Sequence, residues 1–292
     1  MNKKLIVYLS GGLGNQLFQY FFGMSYSKTL KRKLHIDHRT GFYTDFAFKR
    51  NFEIPLSSFE KTKTYSLSFL FFRIIRKLFK IEYFKIFNNI FITENKLKKD
   101  FKTLEKNSQI EKIFIIGDFQ DEEYFKNHKF EIKETLNLDK IENKKINDIL
   151  NNLDFENSVA IGGRFYEEMS EKEHHLVGGI TPISFYNDSI KIFNKKLKDP
   201  KYVIFSVEDT EILKKLNVSE KNSLFINSHT LKSSSLDKLL FMSNFKNFII
   251  SNSSFYWWAA YLAEIKFKKI NIIPTDNFYY PKTVPSRWNN LN

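Results

Sequence analysis

Residues 5 to 23 read LIVYLSGGLGNQLFQYFFG. Leu5 to Leu9 is an apolar run with the length of a buried strand. It stops at Gly11, Gly12 and Gly14, and LFQYFFGMSYSKTL then carries helical character to about Leu30. Lys33 to Asp37, KLHID, reads as a second strand. A strand, a glycine turn, a helix and a strand form a βαβ unit, which calls for a parallel sheet.

The rest of the chain supports that class. A less regular stretch runs to about residue 112, where KIFIIGDF (112–119) reads as a strand and DEEYFKNH as a short helix. The polar stretch 137–153 reads as a solvated helix or connector between domains. From Ser158 a second alternating series begins, with strands SVAIGG, KYVIFS, SLFIN, NFIIS and KINIIP separated by helices near 184–198, from Asp209, SSLDKLLFMSNF and SFYWWAAYLAE. Such alternation predicts a Rossmann-like domain. Two α/β units in tandem predict a cleft between them.

Composition narrows the chemistry. Among 292 residues there are 46 basic and 33 acidic ones, a formal charge of +13. Part of that excess goes with a general enrichment in Lys, Asn, Ile and Phe; the remainder favours anionic partners. The absence of Cys excludes disulfides, thiolate metal sites and Cys nucleophiles. The six His show no metal-ligand spacing. The apolar part of MNKKLIVYLSGG is too short for a signal peptide, and no run of about 18 apolar residues stands anywhere. The expected location is the cytoplasm, including the inner face of the membrane.

That last expectation rests on residues 65 to 87, YSLSFLFFRIIRKLFKIEYFKIF. Leu67, Leu70, Phe71, Ile74, Leu78 and Ile81 recur at helical spacing, and Arg73, Arg76, Lys77 and Lys80 share another face. A basic amphipathic helix of this kind suits an anionic membrane surface. It equally suits a helix packed on its own domain with a solvated basic face.

Three further stretches carry chemistry. In GGLGNQLFQY (11–20) the glycines let backbone N–H groups approach a phosphate at a helix start. Gly12 and Gly14 match a dinucleotide fingerprint, with Asp37 placed for a ribose, but Leu17 stands at the third glycine position and there is no GK[ST]. In ISNSSFYWWAAYL (250–262), Asn252, Ser253 and Ser254 stand where a helix begins, as caps or as anion ligands. Trp257 and Trp258 read as core anchors. In FSVEDTEIL (205–213), Asp209 can cap a helix, and a carboxylate at a strand end can accept from a guanine edge. One acid suffices for the cap, so Glu208 or Asp209 is spare. GDFQDEEYF (117–125) alone is an acidic loop entering a helix.

GGLGNQLFQYFFG, GDFQDEEYF and MSNFKNFIISNSSFYWWAAYL, in this order, resemble the bacterial α-1,2-fucosyltransferase family. The likeness runs from residue 3 to about residue 275 and is thinnest from 40 to 110. It implies a GT-B architecture with two Rossmann-like domains: an acceptor-side domain over 1–150 and a nucleotide-sugar-binding domain over 151–292. It also implies transfer of L-fucose from GDP-fucose with inversion, to a galactose-type hydroxyl of an oligosaccharide or lipid-linked surface glycan. No metal, no cofactor beyond the donor and no nucleic acid partner are expected.

Where the family carries H-x-R-R-x-D, this chain has Gly162, Gly163, Arg164, Phe165, Tyr166 and Glu167. The resemblance assigns Arg164 to the donor diphosphate, because a guanidinium can grip two phosphate oxygens. It puts Gly12, Gly14 and Asn15 at the phosphates, and Asn252, Ser253, Ser254 and Phe255 at the nucleotide. Glu208 or Asp209 then meets guanine, and Glu167 or its neighbour Glu168 assists removal of the acceptor proton. His174 and His175 are an alternative base. A different nucleotide-sugar, a dinucleotide-dependent oxidoreductase resting on GGLGN and Asp37, and a nucleic-acid- or membrane-binding protein resting on the net charge are the other readings.

Overall fold

The computed structural model describes residues 3–46, 48–56, 66–98, 109–166, 170–207, 211, 213–227 and 230–289. The chain divides into two compact units, Met1–Leu136 and Asn137–Asn292.

In the first unit, β1 (Lys4–Tyr8) leads through the glycine turn into α1 (Leu13–Thr29) and on to β2 (Lys33–Asp37), in parallel register with β1. A single turn, α2 (Thr40–Tyr43), and the longer α3 (Ser66–Phe79) follow. The irregular stretch holds a hairpin that the sequence pattern does not announce, β3 (Tyr83–Ile86) and β4 (Asn89–Thr93). With β5 (Lys112–Ile116) they complete the sheet order β2-β1-β5-β4-β3, in which only the β3–β4 pair is antiparallel. Leu5, Ile6 and Val7 are wholly buried, as strands covered on both faces must be. Against them α1 supplies Leu17, Phe18, Phe21 and Phe22. α4 (Lys129–Leu136) closes the unit.

The second unit opens with α5 (Lys144–Asn151), the polar stretch read as a connector. Its Ile146 is buried, its N-cap Asn143 accepts from the Ile146 N–H, and the Asn143 amide donates to the Lys232 carbonyl. Then come β6 (Ser158–Gly162), α6 (Ile183–Lys196), β7 (Lys201–Phe205), β8 (Ser223–Ile226), α7 (Ser235–Met242), β9 (Asn247–Ile250), α8 (Ser254–Lys266) and β10 (Asn271–Pro274). All its strand pairs are parallel, in the order β10-β9-β6-β7-β8. The expected helix after Asp209 begins outside the described residues; a short 3-10 turn, Leu213–Lys215, stands at its far end. Trp257 and Trp258 are fully buried, with Trp257 stacked on Tyr261 at 4.8 Å and its ring N–H donating to the Thr283 carbonyl.

α7 is held by a reciprocal cap. The Ser234 hydroxyl accepts from the Asp237 N–H at 3.0 Å and the Asp237 carboxylate accepts from the Ser234 N–H. Ser234→Ala is expected to cost about 1 kcal/mol, read as a lower urea midpoint with an unchanged slope.

Candidate active site

From β6 the second unit builds outward through β7 to β8, then returns to the other side of β6 for β9 and β10. The point where the direction reverses, beyond the C-terminal ends of β6 and β9, is where open α/β sheets leave room for a ligand. Gly162, last in β6, is in register with Ile250, last in β9. The residues that follow each strand are the two stretches the sequence reading selected, GRFYEEM and SNSSFYW.

After β6 the chain does not turn into a helix at once. Arg164 is half-buried, with its guanidinium carbon 4.5 Å from the centre of the Tyr166 ring. Tyr166 takes a positive φ of 53°, and its hydroxyl donates to the Asn252 carbonyl at 2.8 Å. The ring is thus pinned to the end of β9, and the guanidinium sits over its face. A cation over an aromatic face gains roughly 0.5–2 kcal/mol.

Phe165, at the family's second arginine, turns into the core, almost wholly buried with its ring 5.6 Å from that of Tyr186. Burial pushes the Tyr186 hydroxyl up to about 12, so it stays protonated beside Ser251, Thr181 and the Arg164 backbone.

Gly162 has a steric cause. A Cβ there would lie 2.4 Å from Cγ of Tyr256, whose hydroxyl donates to the carbonyls of Gly163 at 3.1 Å and Phe205 at 2.9 Å. The Tyr256 ring fills the space that a side chain at the family's histidine position would need.

On the β9 side, Ser253 is the N-cap of α8 in extended conformation, yet its side chain makes no capping hydrogen bond. The helix therefore begins with backbone N–H groups that the Ser253 hydroxyl does not satisfy. Ser253, Ser254 and Phe255 are half-buried. Asn252 is different: its amide donates to the Gly179 carbonyl at 2.7 Å and its oxygen faces the Thr181 hydroxyl at 3.5 Å. Asn277 reaches the same Gly179 carbonyl at 3.1 Å. The Asn252 side chain thus fastens a loop, and only the chain around it lines the strand end.

In the first unit, Gly12 is the N-cap of α1, also without a side-chain cap, and Gly14 is buried in the first turn. Asn15 crowds Gly11, which has a φ of +78°; a Cβ there would sit 2.7 Å from the Asn15 amide nitrogen. The Asn15 oxygen accepts from the Gln120 amide at 3.2 Å, so GGLGNQ and GDFQDEEYF meet. Phe119 in the second of these stacks on Phe22 of α1 at 3.7 Å, which makes that acidic loop a packed element.

Two residues the sequence reading passed over complete this turn. Gln16 is wholly buried; it donates to the carbonyls of Gly11 at 2.9 Å and Asn51 at 2.8 Å and accepts from the Glu53 N–H at 2.9 Å. Arg50, carried on that stapled segment, brings its Nε to 3.9 Å from where a Gly12 Cβ would stand. The signal for Gln16 was available: Gln16 and Gln19 are amides in an otherwise apolar stretch of helix, and buried amides must be hydrogen-bonded.

Glu167, Glu168, Glu208 and Asp209 lie outside the described residues. His174 and His175 fall on a 3-10 turn, Glu171–Val177, where His175 is exposed with Nδ1 2.7 Å from the Lys172 carbonyl. Asp37, the acid a dinucleotide ribose would need, is buried and accepts from the N–H groups of Arg39 at 3.1 Å and Thr40 at 3.0 Å. Its carboxylate caps a turn, which removes the support for an oxidoreductase.

The model of the family described as "Glycosyl transferase family 11" matches residues 4–283. The chain belongs to glycosyl transferase family 11. Among curated relatives, the transferase is 29% identical over 287 residues to an alpha-1,2-colitosyltransferase of Escherichia coli, covering 94% of this chain and 92% of the relative. It is 27% identical over 284 residues to the O-antigen biosynthesis glycosyltransferase WbnK of Escherichia coli, covering 87% and 88%. Among solved structures, the NodZ alpha-1,6-fucosyltransferase of Bradyrhizobium co-crystallized with GDP superposes with a TM-score of 0.53 at 13% identity, over 96% of this chain and 97% of that one. A point mutant of Arabidopsis thaliana FUT1 in complex with GDP gives 0.51 at 12% identity, over 94% and 70%. The transferase therefore has the GT-B-like α/β fold of these fucosyltransferases.

Proposed function

We propose that the transferase moves L-fucose from GDP-L-fucose, with inversion and without a metal, to a galactose-type hydroxyl of a surface glycan. The observation that carries this reading is the Arg164 guanidinium, stacked on Tyr166 at the point where strand order reverses, next to the start of α8. Support comes from the glycan-assembling relatives and from the GDP complexes of proteins sharing the fold.

In the proposed step the acceptor oxygen bonds to the anomeric carbon as the bond from that carbon to the β-phosphate oxygen breaks. The electron pair of the broken bond stays on the diphosphate and GDP leaves. Arg164 and the N–H groups around Ser253, Ser254 and Phe255 meet this growing negative charge. Within the first unit, the backbone N–H groups of Gly12, Gly14 and Asn15 at the start of α1 are assigned to phosphate on the family resemblance. Glu208 or Asp209 accepts from the guanine edge, and Glu167 or Glu168 receives the acceptor proton. Nucleotide-sugars and lipid-linked glycans meet on the cytoplasmic side of a membrane, and the reaction is assigned there.

A second donor is favoured by one finding, the 29% identity to a colitosyltransferase. Colitose is L-fucose without its 3-hydroxyl, so the two donors share guanine, ribose and diphosphate. Melting the protein with GDP, UDP and NAD separates the classes: GDP at about one hundred times its dissociation constant stabilises by about 2.7 kcal/mol, and the other two are expected to do far less. Stabilisation by NAD alone would sink both readings. Release of GDP from GDP-fucose and GDP-colitose in parallel then decides the sugar, and clear preference for the latter replaces the first reading.

A further inference from the structure

The helix read from residues 65 to 87 ends at Phe79, and the way it packs overturns the expected division of its faces. The residues that anchor α3 are Phe69 and Phe72, both wholly buried. Phe69 meets the rings of Tyr8 at 5.3 Å and Phe114 at 5.5 Å, and Phe72 meets Phe91 at 5.6 Å and Phe84 at 5.4 Å. Arg73, expected on a solvated basic face, donates to the Thr44 hydroxyl at 2.6 Å and lies over Tyr8. The apolar stripe of the sequence reading looks the other way: Leu67 is 84% exposed, Ile74 57% and Leu78 69%.

Leu67, Phe71, Ile74 and Leu78 are spaced four, three and four apart and so form one row along the helix. Phe71 leans on Phe84 of the neighbouring hairpin, and Phe87 at the tip of that hairpin is 89% exposed. Arg76, Lys77, Lys80 and Lys85 are exposed, and among the described residues none of them forms an ion pair. Between Ser66 and Asn88 the sole acid is Glu82. Among the described residues no helix is long and apolar enough to cross a membrane.

We propose that the outer row of α3 and the tip of the β3–β4 hairpin dock on an anionic lipid bilayer surface. The aliphatic row enters the boundary between headgroups and acyl chains, and the exposed Lys77 and Lys80 that flank it meet lipid phosphates. Charge decides between occupants. A second copy seated on the same face would bring Lys77 and Lys80 of both copies together, with only Glu82 to offset them. A glycan packs its small C–H faces on aromatic rings and hydrogen-bonds polar side chains, whereas Leu67, Ile74 and Leu78 are aliphatic. An anionic bilayer satisfies both halves of the patch. Vesicle binding needs neither donor nor acceptor, so the proposal stands or falls apart from the fucosyl reading.

The experiment is flotation of the full chain with vesicles of phosphatidylcholine alone and of phosphatidylcholine mixed with phosphatidylglycerol. Binding is expected only to the mixed vesicles and is expected to fall as salt is raised. Each exposed basic residue contributes roughly fivefold. Lys77→Gln with Lys80→Gln should therefore weaken binding by about 25-fold, on the same surface-charge scale. Leu67→Ser with Ile74→Ser and Leu78→Ser should abolish it while lowering the melting temperature only slightly, since these side chains are more than half exposed. Equal binding to neutral vesicles, no binding to either, or undiminished binding by the serine variant each overturns the proposal. So does a stable dimer that the serine variant disperses while vesicles are ignored.

Discussion

If Arg164 has the role proposed for it, Arg164→Lys is expected to lower the rate of the proposed fucosyl transfer by about 100- to 1000-fold, the usual loss when one pre-placed stabiliser of a developing oxyanion is removed. Lysine keeps the charge, so a small effect would follow if charge alone mattered. The larger loss is expected because the guanidinium does two things lysine cannot. Its central carbon stands 4.5 Å from the centre of the Tyr166 ring, and in the proposed role its paired N–H groups grip two phosphate oxygens. The charge grows as the sugar–phosphate bond breaks, so kcat should fall more than KM rises. Initial rates with GDP-fucose, alongside a melting curve, check this. A variant that folds and turns over like the parent removes Arg164 from the role proposed for it.

Gly162→His restores the residue that the fucosyltransferase pattern has here, and it is expected to destabilise the protein by about 3 kcal/mol or more. Any side chain at this position begins with a Cβ 2.4 Å from the Tyr256 ring. That ring is buried and tied by its hydroxyl to two backbone carbonyls, so it cannot swing aside cheaply. Melting temperature should drop by roughly 2–4 °C for each kcal/mol lost, with Gly162→Ala as the milder case. Adding Tyr256→Ala to Gly162→His removes the clashing ring, so the two losses should not add. A Gly162→His protein as stable as the parent would show that the ring is not what excludes the side chain.

The readable part of the fold was local. LIVYL, KIFII and NFII are buried strands because unbroken apolar runs of that length, bounded by Gly, Asn or Lys, have few other ways to be covered. The hairpin of β3 and β4 escaped because YFKI and NIFIT are joined at Phe87 and Asn88, not by an Asn-Gly or Asp-Gly turn. The two stretches flanking the strand reversal were selected by motif. What each side chain does there was not legible, since Ser253 and Asn252 are equally good caps, ligands or loop fasteners until their neighbours are known.

The sequence by itself determined the α/β class, the parallel register that follows from βαβ connections, and the placing of Arg164 and Ser253 just beyond strand ends. These follow from periodicity and from where glycine and serine interrupt it, and such signals act over a few residues. Only the tertiary structure decided that Tyr256 occupies the space above Gly162, that Asn252 is spent on Gly179, and that Phe69 and Phe72 turn the apolar row of α3 outward. Each of those outcomes is a competition between groups far apart along the chain for one volume or one carbonyl, and only packing in three dimensions resolves it.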